Sequence, residues 1–187
     1  DYAEAIKIDP KYVTAYYSRA LLYFKTGNFQ AAISDYSHII RLYPIDPQGY
    51  FHRGVVHQEI KNLDAAFNDY SEAILLEPKY ADAFYNRALV YSIKQKIGGA
   101  VENYSRAINI NSNFKEAYNN RGYEWYRIGI YKQAIADLSQ AIQISSNYAD
   151  AVFNRAVAYL KTGQLDLALL DFAQAIQLEP DNEQTHY

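Results

Sequence analysis

The chain has no cysteine, no methionine, one tryptophan and only five prolines in 187 residues. Without cysteine there are no disulfides, no thiolate metal ligands and no cysteine nucleophile, although the redox compartment stays open. Charge of one sign is also scarce. The formal net charge of -3 makes no field that would pull the whole chain onto nucleic acid or an acidic membrane. No run approaches the ~20 consecutive apolar residues that a membrane-spanning helix needs. No signal or transit peptide is read, and since Asp1 is not a natural start the chain is expected to begin inside a longer protein. What is abundant is aromatic: 20 tyrosines and 8 phenylalanines, in a chain that is 50% hydrophobic and 21% charged. That composition supports a packed core rather than disorder.

Pro10, Pro44 and Pro78 stand 34 residues apart, and further steps of 34 reach Ser112, Ser146 and Pro180. Setting this residue as position 32 predicts five full repeats, at 13–46, 47–80, 81–114, 115–148 and 149–182. Residues 1–12 are then the tail of an earlier repeat and 183–187 the start of a further one. Small residues keep the phase. Position 8 is Ala20, Gly54, Ala88, Gly122, Ala156, and position 20 is Ala32, Ala66, Ala100, Ala134, Ala168. Position 27 is Ala5, Ile39, Ala73, Ala107, Ala141, Ala175. Large residues fill the holes these leave. Position 4 is Tyr16, Tyr50, Phe84, Tyr118, Val152, and position 24 is Tyr2, Tyr36, Tyr70, Tyr104, Leu138, Phe172. Spacings of three and four within each half are those of one helix face.

This order of bulky, small and aromatic residues, closed by Ala and Pro, resembles the tetratricopeptide repeat over all 187 residues. The resemblance implies an all-α, right-handed superhelical solenoid of antiparallel helix pairs, with helix A at positions 2–14 and helix B at about 18–31. Asp46-Pro47 suits an N-cap and first helical residue. Gly27, Gly129 and Gly163 at position 15 suit a left-handed end to helix A. Lys61 and Gln95 hold that place in the middle, and Gly98-Gly99 falls at the start of a helix B, so looser turns are expected there.

No catalytic constellation, cofactor-binding motif or metal site is read. His52 and His57 lie about 140° apart on a helix, and His57 shares position 11 with Tyr23, Tyr91, Trp125 and Tyr159, which assigns it to packing. There is no zinc-protease pair, phosphate loop or nucleophile elbow. Asn103-Tyr104-Ser105 matches a glycosylation triplet but falls inside a helix B. Position 7 is Arg19, Arg53, Arg87, Arg121, Arg155, opposite an acidic position 23 of Asp1, Asp35, Asp69, Asn103, Asp137, Asp171. This charge-balanced column predicts paired, register-fixing side chains rather than a phosphate-binding stripe.

The resemblance further implies a concave face lined by positions 2, 5, 6, 9 and 12 of helix A. Position 6 is Ser18, His52, Asn86, Asn120, Asn154. Position 5 is Tyr17, Phe51, Tyr85, Asn119, Phe153, while Tyr123 and Tyr126 fall at positions 9 and 12. An asparagine amide matches the donor and acceptor of a peptide bond. Burial gives such a residue little, so packing does not account for Asn86, Asn120 and Asn154 in one register. The column is similar to the asparagine ladder of the superhelical region of O-GlcNAc transferase. The family's carboxylate clamp for acidic chaperone tails is absent, since no position 5 is lysine, and Asp82, Glu116 and Asp150 make one rim acidic. The expected function is a protein-interaction scaffold binding a peptide or helical segment in its groove, with no nucleic acid or membrane partner. The alternative is the substrate-recruiting region of a larger enzyme such as a glycosyltransferase. Leu169, Phe172 and Ile176 at one end and Tyr2, Ala5 and Ile6 at the other have no cap in the sequence, which predicts end-to-end association of chains.

Overall fold

The computed structural model describes residues 2–179, and every regular element among them is an α-helix. In chain order these are α1 (Tyr2–Ile8), α2 (Val13–Lys25), α3 (Phe29–Leu42), α4 (Pro47–Glu59), α5 (Leu63–Leu76) and α6 (Ala81–Ile93), followed by α7 (Ile97–Ile110), α8 (Lys115–Arg127), α9 (Tyr131–Ile144), α10 (Ala149–Lys161) and α11 (Leu165–Leu178). Asp1, Pro180 and the expected opening of a further repeat at 183–187 lie outside the described residues. The chain divides into two compact units, 1–90 and 91–187. In the first, α1 packs on α2, α2 on α3, α3 on α4 and α4 on α5; in the second, each helix from α7 to α11 packs on the next.

Helix A starts at position 1 and helix B at position 17, one residue earlier than the spacing predicts. At α4 a side-chain cap marks the start. The Asp46 carboxylate accepts from the Gln48 backbone N–H at 3.0 Å, which makes Pro47 the first helical residue. The expectation of looser middle turns is overturned. Each A–B turn closes with the same backbone bond: Asn28 to Tyr23, Asn62 to His57, Lys96 to Tyr91, Ile130 to Trp125 and Gln164 to Tyr159, all at 2.8–3.0 Å. Lys61 (φ 62°) and Gln95 (φ 56°) adopt the left-handed backbone that Gly27, Gly129 and Gly163 adopt elsewhere. A side chain there costs conformational energy, not the turn. Gly99 is not misplaced either. A Cβ on it would come within 2.7 Å of the Tyr91 ring, so its lack of a side chain is what lets that ring lie against α7.

Position 32 tolerates Ser112 and Ser146 in place of proline for a related reason. The B–A turn is closed by the residue before position 32 and the second residue after it, by Tyr43 N–H to Ile39 and Asp46 N–H to Tyr43, or by Asn111 N–H to Ala107 and Phe114 N–H to Asn111. The N–H that proline lacks is not needed. The alternating small and large positions make the cores. Tyr16, Ala20, Ala32, Tyr36 and Ile39 are buried together in the first unit, and Ala134, Leu138, Ala141, Ala151 and Ala158 in the second. The glycines at position 8 belong to this packing, since a Cβ at Gly54 would meet Tyr70 at 2.8 Å and one at Gly122 would meet Leu138 at 2.9 Å.

Candidate functional site

The arginine column is structural, as its charge balance predicts. Arg121 donates through Nε and Nη2 to the two oxygens of Asp137 at 2.7 Å each, and through Nη1 to Ser105 Oγ at 2.9 Å. One guanidinium thereby ties α7, α8 and α9 together. Arg53 does the same with Ser37 and Asp69, and Arg155 with Ser139 and Asp171. Arg19 pairs with Asp35, and Arg87 reaches Ser71 Oγ at 3.1 Å. The hydrogen bond to the carboxylate is the main cause that raises Arg19, Arg53 and Arg155 above the ordinary guanidinium pKa, and desolvation partly opposes it. The serines recur 34 residues apart as Ser37, Ser71, Ser105 and Ser139. That signal was present in the sequence and is explained only by the arginines.

In the first unit, the predicted site residues Tyr17, Phe51 and His52 are brought together on α2 and α4. His52 stacks on Tyr36 with ring centroids 5.6 Å apart and meets Tyr17 and Phe51 edge-on. The Tyr17 hydroxyl donates to Asp46 Oδ2 at 2.8 Å. Burial raises its pKa far above the ordinary phenol value, and the Asp46 carboxylate adds to the shift. Burial also pushes Tyr36 up to about 12, with Asp35 adding to it. Tyr17, Ser18, Leu21, Tyr36, Gln48 and His52 line an open pocket of about 260 Å³. Tyr85 and Asn86 lie on α6, both half-buried, and Asn86 Nδ2 donates to the Asp82 backbone carbonyl at 2.8 Å, within its own helix.

The second unit brings together Asn119, Asn120, Tyr123, Tyr126, Phe153 and Asn154. Asn154 Nδ2 donates to Asn119 Oδ1 at 3.0 Å, and Asn119 Nδ2 donates to Asn120 Oδ1 at 3.1 Å, which makes a chain of three amides across α10 and α8. Asn119 itself is buried. Asn119, Asn120, Tyr123, Asp150, Phe153 and Asn154 line a polar groove of about 300 Å³. Its lining comes from positions 2, 5, 6 and 9, which also supply the pocket of the first unit except for Tyr36. A second, apolar cavity of about 110 Å³ adjoins it, with walls from Tyr123, Tyr126, Leu138, Phe153, Asn154 and Val157.

Tetratricopeptide repeat profiles match residues 1–27 with 122–163, 17–82, 81–114 and 149–182, and together they span 1–114 and 122–182. The chain belongs to the tetratricopeptide repeat family. Solved structures of this fold superpose on it closely. PilF of Pseudomonas aeruginosa is 19% identical, with a TM-score of 0.87 over 99% of this chain and 84% of its own. YrrB, described as a tetratricopeptide protein with an unusual peptide-binding site, is 21% identical, with a TM-score of 0.79 over 100% and 96%. MamA is 22% identical, with a TM-score of 0.80 over 90% and 92%. At these identities the likeness is one of fold. A search of curated protein sequences returns no match.

Among the described residues no group of three or more His, Asp or Glu side chains could hold a metal ion, and no helix is long and apolar enough to cross a membrane. Asn103 of the glycosylation triplet is buried and donates to the Gly99 carbonyl at 2.8 Å, which removes it as an acceptor site. His57 is half-buried beside the Arg53–Asp69 pair, with Nε2 3.9 Å from Asp69. A buried carboxylate escaped the sequence reading. Glu124, 1% exposed, accepts from Ser92 Oγ and from Arg127 Nη1 at 2.8 Å. Its register is otherwise held by Leu22, Val56, Val90 and Ala158, so an ion pair here stands where apolar side chains stand elsewhere.

Proposed function

We propose that this chain is a protein-interaction scaffold that holds a peptide segment of a partner against the helix faces carrying positions 2, 5, 6 and 9. The observation that carries the reading is the amide chain Asn154–Asn119–Asn120 beside Tyr123 and Phe153 in the polar groove. Its bond to Asn119 uses one N–H of Asn154. The second N–H and the carbonyl oxygen are the pair offered to a peptide bond. Asn119 orients Asn154, and Asn120 orients Asn119, so the geometry is set before a ligand arrives. Tyr123 and Phe153 provide apolar contact at small entropic cost. Asp150, exposed in the same groove, favours neutral or basic segments over acidic ones. Peptide binding has a precedent on this fold in the description of YrrB. Asn86 contributes less to this reading, because its amide bonds its own helix.

Short random peptides displayed on phage and selected on the immobilised chain provide the ligand for the test, which is then titrated by fluorescence anisotropy. Asn154→Ala is expected to weaken that peptide about 10-fold, the value of one hydrogen-bonded pair, with little change in unfolding midpoint. Selection of no peptide, or equal affinity for the Asn154→Ala chain, overturns the proposal.

A further inference from the structure

Two aromatic positions of the repeat are vacated together in α8 and α9. Position 5 is aromatic at Tyr17, Phe51, Tyr85 and Phe153 but is Asn119 here. Position 24 is aromatic at Tyr36, Tyr70, Tyr104 and Phe172 but is Leu138 here. In three of the repeats where both are aromatic the rings meet, with centroids 6.0 Å apart for Tyr17–Tyr36, 5.9 Å for Phe51–Tyr70 and 5.7 Å for Phe153–Phe172. The same stretch gains tyrosines at positions 9 and 12, Tyr123 and Tyr126, where the other repeats have Leu, Val, Phe, Gln or Ser. Aromatic mass has moved from the core to the groove wall, and the 110 Å³ cavity lies beside Leu138. In the first unit the position-24 rings reach residues of the groove wall. The ring of Tyr36 stacks on His52, and the Tyr70 hydroxyl donates to Gln58 at position 12, 3.0 Å away. Leucine ends short of both places.

We propose that this cavity receives an aliphatic side chain of the bound peptide, a leucine, isoleucine or methionine, as its anchor. The inference rests on the groove reading above and adds the residue class that it selects. An engineered apolar cavity of about 150 Å³ holds a benzene ring. At about 110 Å³ the space beside Leu138 suits an apolar group of four heavy atoms better than a ring. Tyr123, Tyr126, Leu138, Phe153 and Val157 provide the walls and carry no charge. Asn154 lines both the cavity and the polar groove. A side chain entering the cavity therefore brings its own peptide bond to the Asn154 amide.

Leu138→Tyr tests the anchor by restoring the usual residue of the register. Tyrosine is buried at this position in Tyr36, Tyr70 and Tyr104. Gly122 leaves the room that Gly54 leaves beside Tyr70. The new ring is directed towards Tyr126, through the cavity. Peptides selected by phage display on the unsubstituted chain are expected to share Leu, Ile or Met at one place. Leu138→Tyr is expected to weaken them about 10- to 100-fold, the value of one buried aliphatic side chain. Changing that peptide residue to Ala should cost the same on the unsubstituted chain and almost nothing on the Leu138→Tyr chain. Val157→Leu narrows the opposite wall with a residue already found at this position, in Leu21 and Leu89, and should weaken binding by a smaller factor even if the tyrosine variant does not fold. Peptides without a shared aliphatic residue, or full affinity for both variants, overturn the anchor. If Asn154→Ala still weakens binding in that case, the groove stands without it. Selection of no peptide overturns both.

Discussion

Replacing Arg121 by alanine removes three hydrogen bonds at once and leaves Asp137 without its cation. Asp137 is 8% exposed and both of its oxygens are engaged by the guanidinium. Stranding a fully buried charge costs about 3–5 kcal/mol. Here water reaches the pair, since the side chains retain 18% and 11% exposure, so the lower end, about 3 kcal/mol, applies. For a chain of this size that lowers the thermal midpoint by about 6–12 °C. The double variant Arg121→Ala with Asp137→Ala strands no charge and should lose only about 1 kcal/mol, the packing and the bond to Ser105. The coupling between the two sites is then at least about 2 kcal/mol, and larger by whatever Asp137→Ala costs alone. Urea unfolding followed by circular dichroism on the four chains of the cycle measures it. If the single and double variants are equally destabilised, the cost lies in lost packing and the argument from a stranded carboxylate fails. If neither differs from the unsubstituted chain, the column does not hold the helices in register.

Two further perturbations follow from the backbone and from the half-buried imidazoles. Lys61→Gly and Gln95→Gly place the preferred residue at left-handed positions, and each is expected to raise stability by about 0.5–1 kcal/mol, the strain relieved less the added freedom of the unfolded chain. A lowered urea midpoint would refute this. Burial lowers the pKa of His52, partly opposed by Asp46; burial also lowers that of His57, with Asp69 opposing and Arg53 adding. The unfolded chain thus takes up these protons first as pH falls through about 6.5. Stability from the two neutral rings is full above that pH and is lost as pH falls towards the lowered folded values. The urea midpoint should drop between about pH 7.5 and 5.5, and less steeply with His52→Asn and His57→Tyr, each the residue found elsewhere at its position. An equal pH dependence in the doubly substituted chain would contradict this.

The repeat, the helices and the paired arginines were legible in the residues because each depends on local spacing repeated in phase. A helix face needs only intervals of three and four, and a 34-residue step carries every small residue to its next large partner. The arginine column could be read for the same reason, since position 7 always meets an acid or asparagine 16 residues on. The turns at Lys61 and Gln95 keep the form of the glycine turns although residue preference alone points to looser ones. A backbone hydrogen bond repeated in every turn outweighs the preference of one residue. The candidate site was legible only in outline. Asn119, Asn120 and Asn154 are three polar letters in the sequence, whereas their order as a chain of donors depends on α8 and α10 approaching to hydrogen-bonding distance. Leu138 fits a helical core pattern as well as tyrosine does, so its pattern is silent about the cavity. Glu124 stands at an apolar position of the repeat, and its burial shows only once Ser92 and Arg127 are seen around it. Periodicity specifies which face a side chain occupies. The volume left between faces, and the partners met across it, depend on side chains distant in sequence, and only the packed helices decide them.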